Sequence, residues 1–155
     1  MMIDPLNQFA HRFGTTFKIN ESLLIKKEHR YFVLNQSLKE LISEEFFYAG
    51  IYLGKAKDRR FFPSFNLLRI LAQKEANKIV VDRKTEWLFI CGRDVFKRGI
   101  LKTMSSKEKG AYVLILNQYH ECLGFGKITQ DLNEGKAGVA VKNVLDIGDF
   151  LRRER

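Results

Sequence analysis

Strand-sized apolar runs at close spacing govern the second half of the chain. From residue 78 onward the segments 79–81, 87–90, 100–104, 111–116, 122–129 and 139–144 read as strands, separated by charged or polar turns at 82–86, 105–110 and 117–121 and by Gly135. That rhythm suits a small barrel or sandwich. The most apolar run is AYVLIL, 111–116. In CLGFGKIT, Gly124 and Gly126 flank Phe125, but neither a P-loop Lys-Ser/Thr nor a Rossmann helix follows. The pair therefore reads as a strand whose missing side chains let another backbone approach, with Lys127 directed towards it.

Within this half, the stretch WLFICGRDVFKRGI (87–100) carries the densest chemistry. Its order is an apolar strand with Trp87 in the core, a break at Gly92, and a one- or two-turn helix opened by Asp94 as N-cap. The helix bears Lys97 and Arg98, and Gly99 closes it before the next strand. Cations on so rigid a bracket suit phosphate contact, because the framework holds their stems in place. Taken singly, the same charges read as an ordinary solvated face.

The first half mixes helices and short strands. Asp4-Pro5 starts a helix with Leu6, Phe9 and Phe13 at helical spacing, and Gly14 ends it. Runs 22–26 and 31–34 form a hairpin about the turn 27–30. Ser37-Leu38-Lys39-Glu40 has the capping-box pattern, giving a helix with a buried stripe of Leu38, Leu41 and Ile42. Run 51–57 is a strand with a bulge at Gly54. Lys55, Lys57, Arg59 and Arg60 then crowd one connection, read as a solvated loop ahead of a phosphate grip. Pro63-Ser64 opens a last helix, with Phe65, Leu68, Ile70 and Leu71 as its apolar positions and its end near Asn77. The hairpin-like connections make this an antiparallel α/β domain over 1–76, followed by a β domain over 77–155.

Composition narrows the function. The 155 residues carry a formal net charge of +9, shared between both halves. Such an excess on folded surface points to a polyanionic partner, nucleic acid before membrane. No apolar run reaches the roughly 20 residues that span a bilayer, and the N-terminus lacks a signal-peptide pattern. A cytoplasmic, monomeric protein without membrane contact is expected. Cys91 and Cys122 read as small buried hydrophobes, not a zinc site or a disulfide. His11, His29 and His120 fall on a helix and in two turns, outside any motif with a nucleophile and an orienting acid. No catalytic group, cofactor or metal is expected, and the protein is read as a non-enzyme.

Gly92-Arg93-Asp94-Val95-Phe96-Lys97-Arg98-Gly99-Ile100 and Leu123-Gly124-Phe125-Gly126 resemble the signature of a PUA domain, a β pseudo-barrel. With the ending Lys142-Asn143, then Asp146-Ile147-Gly148-Asp149-Phe150-Leu151-Arg152-Arg153, the whole chain resembles the NIP-seven family of large-subunit ribosome-biogenesis factors in its archaeal form. The likeness is strongest over 86–153 and collinear over 1–76. It implies an α+β fold, an N-terminal antiparallel α/β domain followed by a PUA-type pseudo-barrel. It also implies binding of U-rich single strands in pre-rRNA processing and large-subunit assembly. The exosome and assembly factors such as the Shwachman–Bodian–Diamond protein are the partners it implies. Basic residues on the last strands are that family's RNA-contacting set. Lys142 matches it by position, and Lys136 approximately, through a turn (131–134) that here is acidic or neutral.

The expected RNA contacts are Arg93, Lys97, Arg98, Lys127, Lys136, Lys142, Arg152 and Arg153, with Tyr119 and Phe125 as candidates for base stacking. Two other readings remain. One is an RNA-modification protein with an attached PUA domain, for which the first half lacks a nucleophile constellation. The other is an adaptor whose first half, rich in Phe46, Phe47, Tyr48, Phe61, Phe62 and Phe65, docks protein machinery.

Overall fold

A computed structural model describes residues 4–43, 45–104, 108–134 and 136–153. The turn expected at Gly135, and the first residues of that at 105–110, lie outside these. Helix α1 (Asp4–His11) buries Leu6, Phe9 and Ala10, and Phe13 follows them into the interior before Gly14 turns the chain. Strands β1 (Leu24–Lys27) and β2 (Arg30–Val33) form the expected hairpin. Strand β3 (Ile51–Lys57) is bulged beside Gly54, as anticipated. The basic connection that follows is no loop. It is a hairpin, with β4 (Arg60–Pro63) paired back onto β3 through Asp58 and Arg59. Both turn residues have positive φ, 51° and 61°, the pattern of a type I′ turn that matches strand twist.

Two helices of this half depart from expectation. Helix α2 (Gln36–Leu41) is capped by Asn35, whose Oδ1 accepts the Leu38 N–H at 2.8 Å, so Ser37 lies inside the helix and not at its cap. Nothing on α2 is buried, and Leu41 is 83% exposed. The stripe read from 38, 41 and 42 finds no core to face, because one and a half turns lie flat on the surface. Helix α3 (Phe65–Ala72) starts as read, with Ser64 Oγ accepting the Leu67 N–H at 3.2 Å while its hydroxyl donates to the Tyr52 carbonyl at 2.6 Å. It stops at Ala72, short of Asn77, and buries Leu67, Leu68 and Leu71.

The second half is a six-stranded sheet, curled as a half-barrel, built from β5 (Lys78–Val81), β6 (Val95–Phe96), β7 (Ile100–Met104), β8 (Tyr112–Leu116), β9 (Cys122–Ile128) and β10 (Val139–Asp146). Its order is β6-β10-β9-β8-β5-β7, antiparallel except for the parallel pair β5–β8. The fold is thus α+β, as expected.

One expected strand is a helix. Residues 87–90 belong to helix α4 (Arg83–Ile90), started by Asp82, whose carboxylate accepts the Thr85 N–H at 2.8 Å. Its buried face is Thr85 and Phe89, which leaves Trp87 68% exposed instead of in the core. The short apolar run is one face plus one end of an amphipathic turn, a pattern that four residues cannot distinguish from a strand. Asp94 caps no helix either: its carboxylate accepts the Asn143 N–H at 2.9 Å, and β6 follows. The helical turn expected around Lys97 and Arg98 is present as a 3-10 turn, Lys97–Gly99.

Two clusters of buried side chains hold the molecule together. One lies between α4 and the six-stranded sheet and gathers Ile79, Val81, Phe89, Val113, Ile115 and Val141. The other joins the two halves. Leu114 and Phe125 of the half-barrel are buried among Leu6, Phe9, Phe13, Leu53, Leu67 and Leu71 of the first half. Phe125, read as a stacking candidate, is 3% exposed and belongs to this seam.

Two glycines are fixed by close approach. A Cβ at Gly99 would collide with the Thr85 side chain of α4, and one at Gly124 (φ +143°) with the Leu145 carbonyl of β10. Valine at either position is expected to cost about 3 kcal/mol from overpacking and backbone strain. In a chain of this size that lowers the melting temperature by roughly 6–12 °C, read by calorimetry.

Candidate nucleic-acid interface

Strand β10 is the line along which the expected RNA contacts gather. At its start, the Lys97 N–H donates to the Gly138 carbonyl at 3.0 Å, which sets the 3-10 turn of Lys97 and Arg98 against the strand. The Arg98 guanidinium lies 5.7 Å from the centroid of Phe96, a ring 41% exposed. Lys136, on the connection entering β10, sits 3.8 Å from Glu134, so part of its charge is answered locally. Both groups are exposed, and such a pair contributes little.

Mid-strand, Lys142 stands directly opposite Lys127 of β9, and Tyr112 of β8 stands opposite Lys127 in turn. Both lysines are exposed, and neither has an ion pair among the described residues. The Arg12 guanidinium covers the Tyr112 ring at 3.7 Å from its centroid. A row of lysine, lysine and arginine-covered tyrosine therefore crosses three strands. Like charges set opposite one another across strands repel by a few tenths to 1 kcal/mol.

The far end of β10 serves structure. Helix α5 (Gly148–Arg153) sends Arg152 back over Gly92, where one guanidinium nitrogen donates to the Ile90 carbonyl at 2.7 Å and the other to both Asp146 oxygens at 3.0 and 3.1 Å. Asp146 is buried; it also accepts the Asn143 amide at 3.1 Å and the Asp149 N–H at 2.9 Å. The Asn143 amide in turn reaches the Phe89 and Arg93 carbonyls. This network locks β10, α4, α5 and the exposed Arg93 loop into one corner. Arg153 pairs with Asp149 at 2.9 Å, one helical turn away. Of the eight cations read from sequence, Lys127 and Lys142 are adjacent. Lys97, Arg98 and Lys136 flank the start of β10, while Arg93, Arg152 and Arg153 lie at its end.

Sequence reasoning passed over Trp87 as a surface group. It also placed both cysteines inside, yet Cys91 is exposed and only Cys122 is largely sheltered. The α4 misreading explains Trp87 and Cys91 alike: Cys91 caps the helix C-terminus and does not continue a strand. Tyr119, a stacking candidate, is 84% exposed on a turn organised by buried Asn117. The Asn117 side-chain oxygen accepts the Tyr119 and Glu121 N–H groups, both at 2.9 Å.

Removing Arg152 would leave the buried Asp146 without its cation. Arg152→Ala should lower stability by about 2 kcal/mol, and Arg152→Lys should restore only part, because an ammonium cannot fork between a carboxylate and a carbonyl; urea titration reads both. The thiols give a second check. Burial pushes the Cys122 thiol up to about 11, with a backbone hydrogen bond at Gly124 and the Arg69 charge pulling it partly back. A disulfide reagent at pH 8 should titrate Cys91 at once and Cys122 only as the fold opens. Above pH 9 the unfolded chain releases a proton that the folded one keeps, so stability should fall as pH rises from 9 towards 11.

Comparisons with known proteins identify the fold that carries this geometry. The UPF0113 PUA domain model matches residues 77–155. A UPF0113 protein of Archaeoglobus fulgidus is 30% identical over 112 residues, which span 70% of this chain and 63% of that protein, less than two thirds of its length. A conserved PUA domain protein from Thermoplasma acidophilum has the same fold, with a TM-score of 0.62 over 97% of this chain and 92% of that one at 19% identity. A hypothetical protein from Pyrococcus horikoshii aligns with a TM-score of 0.54 over 84% and 77% of the two chains at 17% identity. Over the half-barrel that carries β9 and β10, the chain belongs to the UPF0113 PUA domain family.

Proposed function

We propose that this protein binds single-stranded, U-rich RNA of the large-subunit precursor along β9 and β10, and that it acts in ribosome biogenesis by holding RNA and not by chemical turnover. The observation that carries the reading is the cross-strand pair Lys127–Lys142, two exposed lysines held side by side without an acidic partner among the described residues. Phosphates placed between them would release counterions and relieve their repulsion. Lys97 and Arg98 extend the positive line to the start of β10, and exposed Tyr119 and Trp87 offer ring faces for bases. The resemblance to NIP-seven ribosome-biogenesis factors supports pre-rRNA as the substrate, with RNA-processing or assembly machinery as the setting.

The test is a gel-shift titration on oligouridine at several salt concentrations. Lys127→Ala with Lys142→Ala should not lower the melting temperature, since it removes a like-charge repulsion, and should weaken binding by about tenfold at moderate salt. The salt slope should become shallower by about 1.4, for two phosphate contacts to a single strand. Unchanged affinity and slope would remove the site. Nucleoside analysis of RNA incubated with the protein should return unmodified bases, and a modified one would replace holding by catalysis.

A further inference from the structure

The outer face of the first sheet carries an arrangement that the half-barrel does not explain. The four strands run in the order β1-β2-β3-β4, and their inner face (Leu24, Tyr31, Leu53 and Phe61) packs into the seam with α1 and α3. On the other face, one row crosses every strand: Lys27 opposite Arg30, Arg30 opposite Lys55, Lys55 opposite Phe62. Two residues further along, Lys57 stands opposite Arg60. Neighbouring strands are about 4.8 Å apart, so cations meet cations where opposite charges would stabilise the sheet. The acids nearest in sequence, Glu28 and Asp58, sit in the hairpin turns with positive φ, outside the row. Among the described residues, none of Arg30, Lys55, Lys57 and Arg60 forms an ion pair.

Aromatic rings are threaded through these charges. Lys27 lies over Phe46 at 5.3 Å, Arg30 over Phe47 at 4.4 Å, and Lys55 over Phe62 at 5.8 Å. Phe47 is 81% exposed, Tyr48 57% and Phe62 45%. Arg30 Nη1 also donates to the Phe47 carbonyl, which fixes the segment that displays these rings. Tyr48 is held in turn by Phe32 and Tyr52 beneath it, at 5.3 and 6.2 Å between ring centroids. An acidic peptide would need the cations but not exposed rings between them. A single-stranded polynucleotide uses both at every step, a cation for its phosphate and a ring face for its base.

We propose that the outer face of the β1–β4 sheet is a second binding platform for single-stranded nucleic acid, with Lys55, Lys57 and Arg60 on phosphates and Tyr48 and Phe62 under bases. It stands apart from the Lys127–Lys142 site and does not depend on it.

The experiment compares four full-length proteins on a 5-iodouridine oligonucleotide long enough to reach both sheets. They are the wild type, Lys55→Glu with Lys57→Glu, Tyr48→Ala with Phe62→Ala, and Lys127→Ala with Lys142→Ala. Anisotropy gives affinity, and photocrosslinking with peptide mapping gives location. Wild type should crosslink within residues 46–62. The charge variant should bind on the order of tenfold more weakly. The aromatic variant, whose charge is unchanged, should lose the crosslink and on the order of tenfold in affinity. Wild-type affinity in both of these variants, with no crosslink in 46–62, overturns the platform. So does loss of binding to a polyglutamate peptide with RNA binding intact, which assigns the face to an acidic protein. Loss in the Lys127/Lys142 protein alone upholds the half-barrel site and removes this one. Loss in the two sheet variants alone does the reverse, and loss in all three upholds both.

Discussion

The edge-to-face contact of Phe9 and Phe13 with Phe125 is what the rest of the molecule depends on. Phe9 meets Phe125 at 5.7 Å and Phe13 meets it at 5.4 Å between ring centroids, and Tyr112 closes the group at 5.5 Å from Phe13 and 5.2 Å from Phe125. Each such pair contributes about 0.5–1.5 kcal/mol beyond the area it buries. Backbone hydrogen bonds run through the same seam: the Asn77 N–H to the Phe13 carbonyl, the Tyr112 N–H to the Arg12 carbonyl and the Leu114 N–H to the Asn77 carbonyl. The halves therefore share one interior. Neither the first sheet nor β8 and β9 could expose its seam face without uncovering several aromatic rings.

A shared interior explains where the charges sit. With apolar side chains committed to the seam and to the cluster beneath α4, the outward positions of both sheets are left for polar groups. In both sheets some of these positions hold cations opposite cations, Lys127 with Lys142 in one and the Lys27–Arg30–Lys55 row in the other. A sheet selected only for stability would alternate signs there. Where the protein does need a cation for its own integrity, it supplies a buried acid, as Asp146 does for Arg152. The Arg152 guanidinium is tied into the fold by a buried acid and a carbonyl, whereas Lys127 and Lys142 have no acidic partner among the described residues.

Much of this was legible in the residues. The hairpin, the bulge at Gly54, the Ser64 start of α3 and the runs of β7 to β10 follow from period-two apolar patterning and turn residues. The departures have separate physical causes. Residues 87–90 are apolar on a helix whose exposed flank happens to include Trp87, and four residues cannot reveal a period of 3.6. The Asp82 cap five residues before Trp87 was the available signal. For α2, Asn35 competed with Ser37 for the cap, and side-chain type alone does not decide between two good caps. The role of Arg152 was not readable at all. It rests on a contact across 62 positions of sequence to the Ile90 carbonyl, which only tertiary structure creates.

The first-half basic cluster shows how strongly pairing register changes meaning. As a loop, Lys55, Lys57, Arg59 and Arg60 would be independent solvated charges, free to move apart and neutral in consequence. The type I′ turn at Asp58–Arg59 removes that freedom by fixing Lys57 against Arg60 and, one step on, Lys55 against Phe62. Arg59 alone stays in the turn. Three side chains that water would have separated are thereby held within one face, beside rings that the segment after α2 supplies. The ladder fixes the spacing of the backbone positions from which these charges rise, so they stay within reach of one another, while the exposed lysine and arginine stems keep their rotamer freedom.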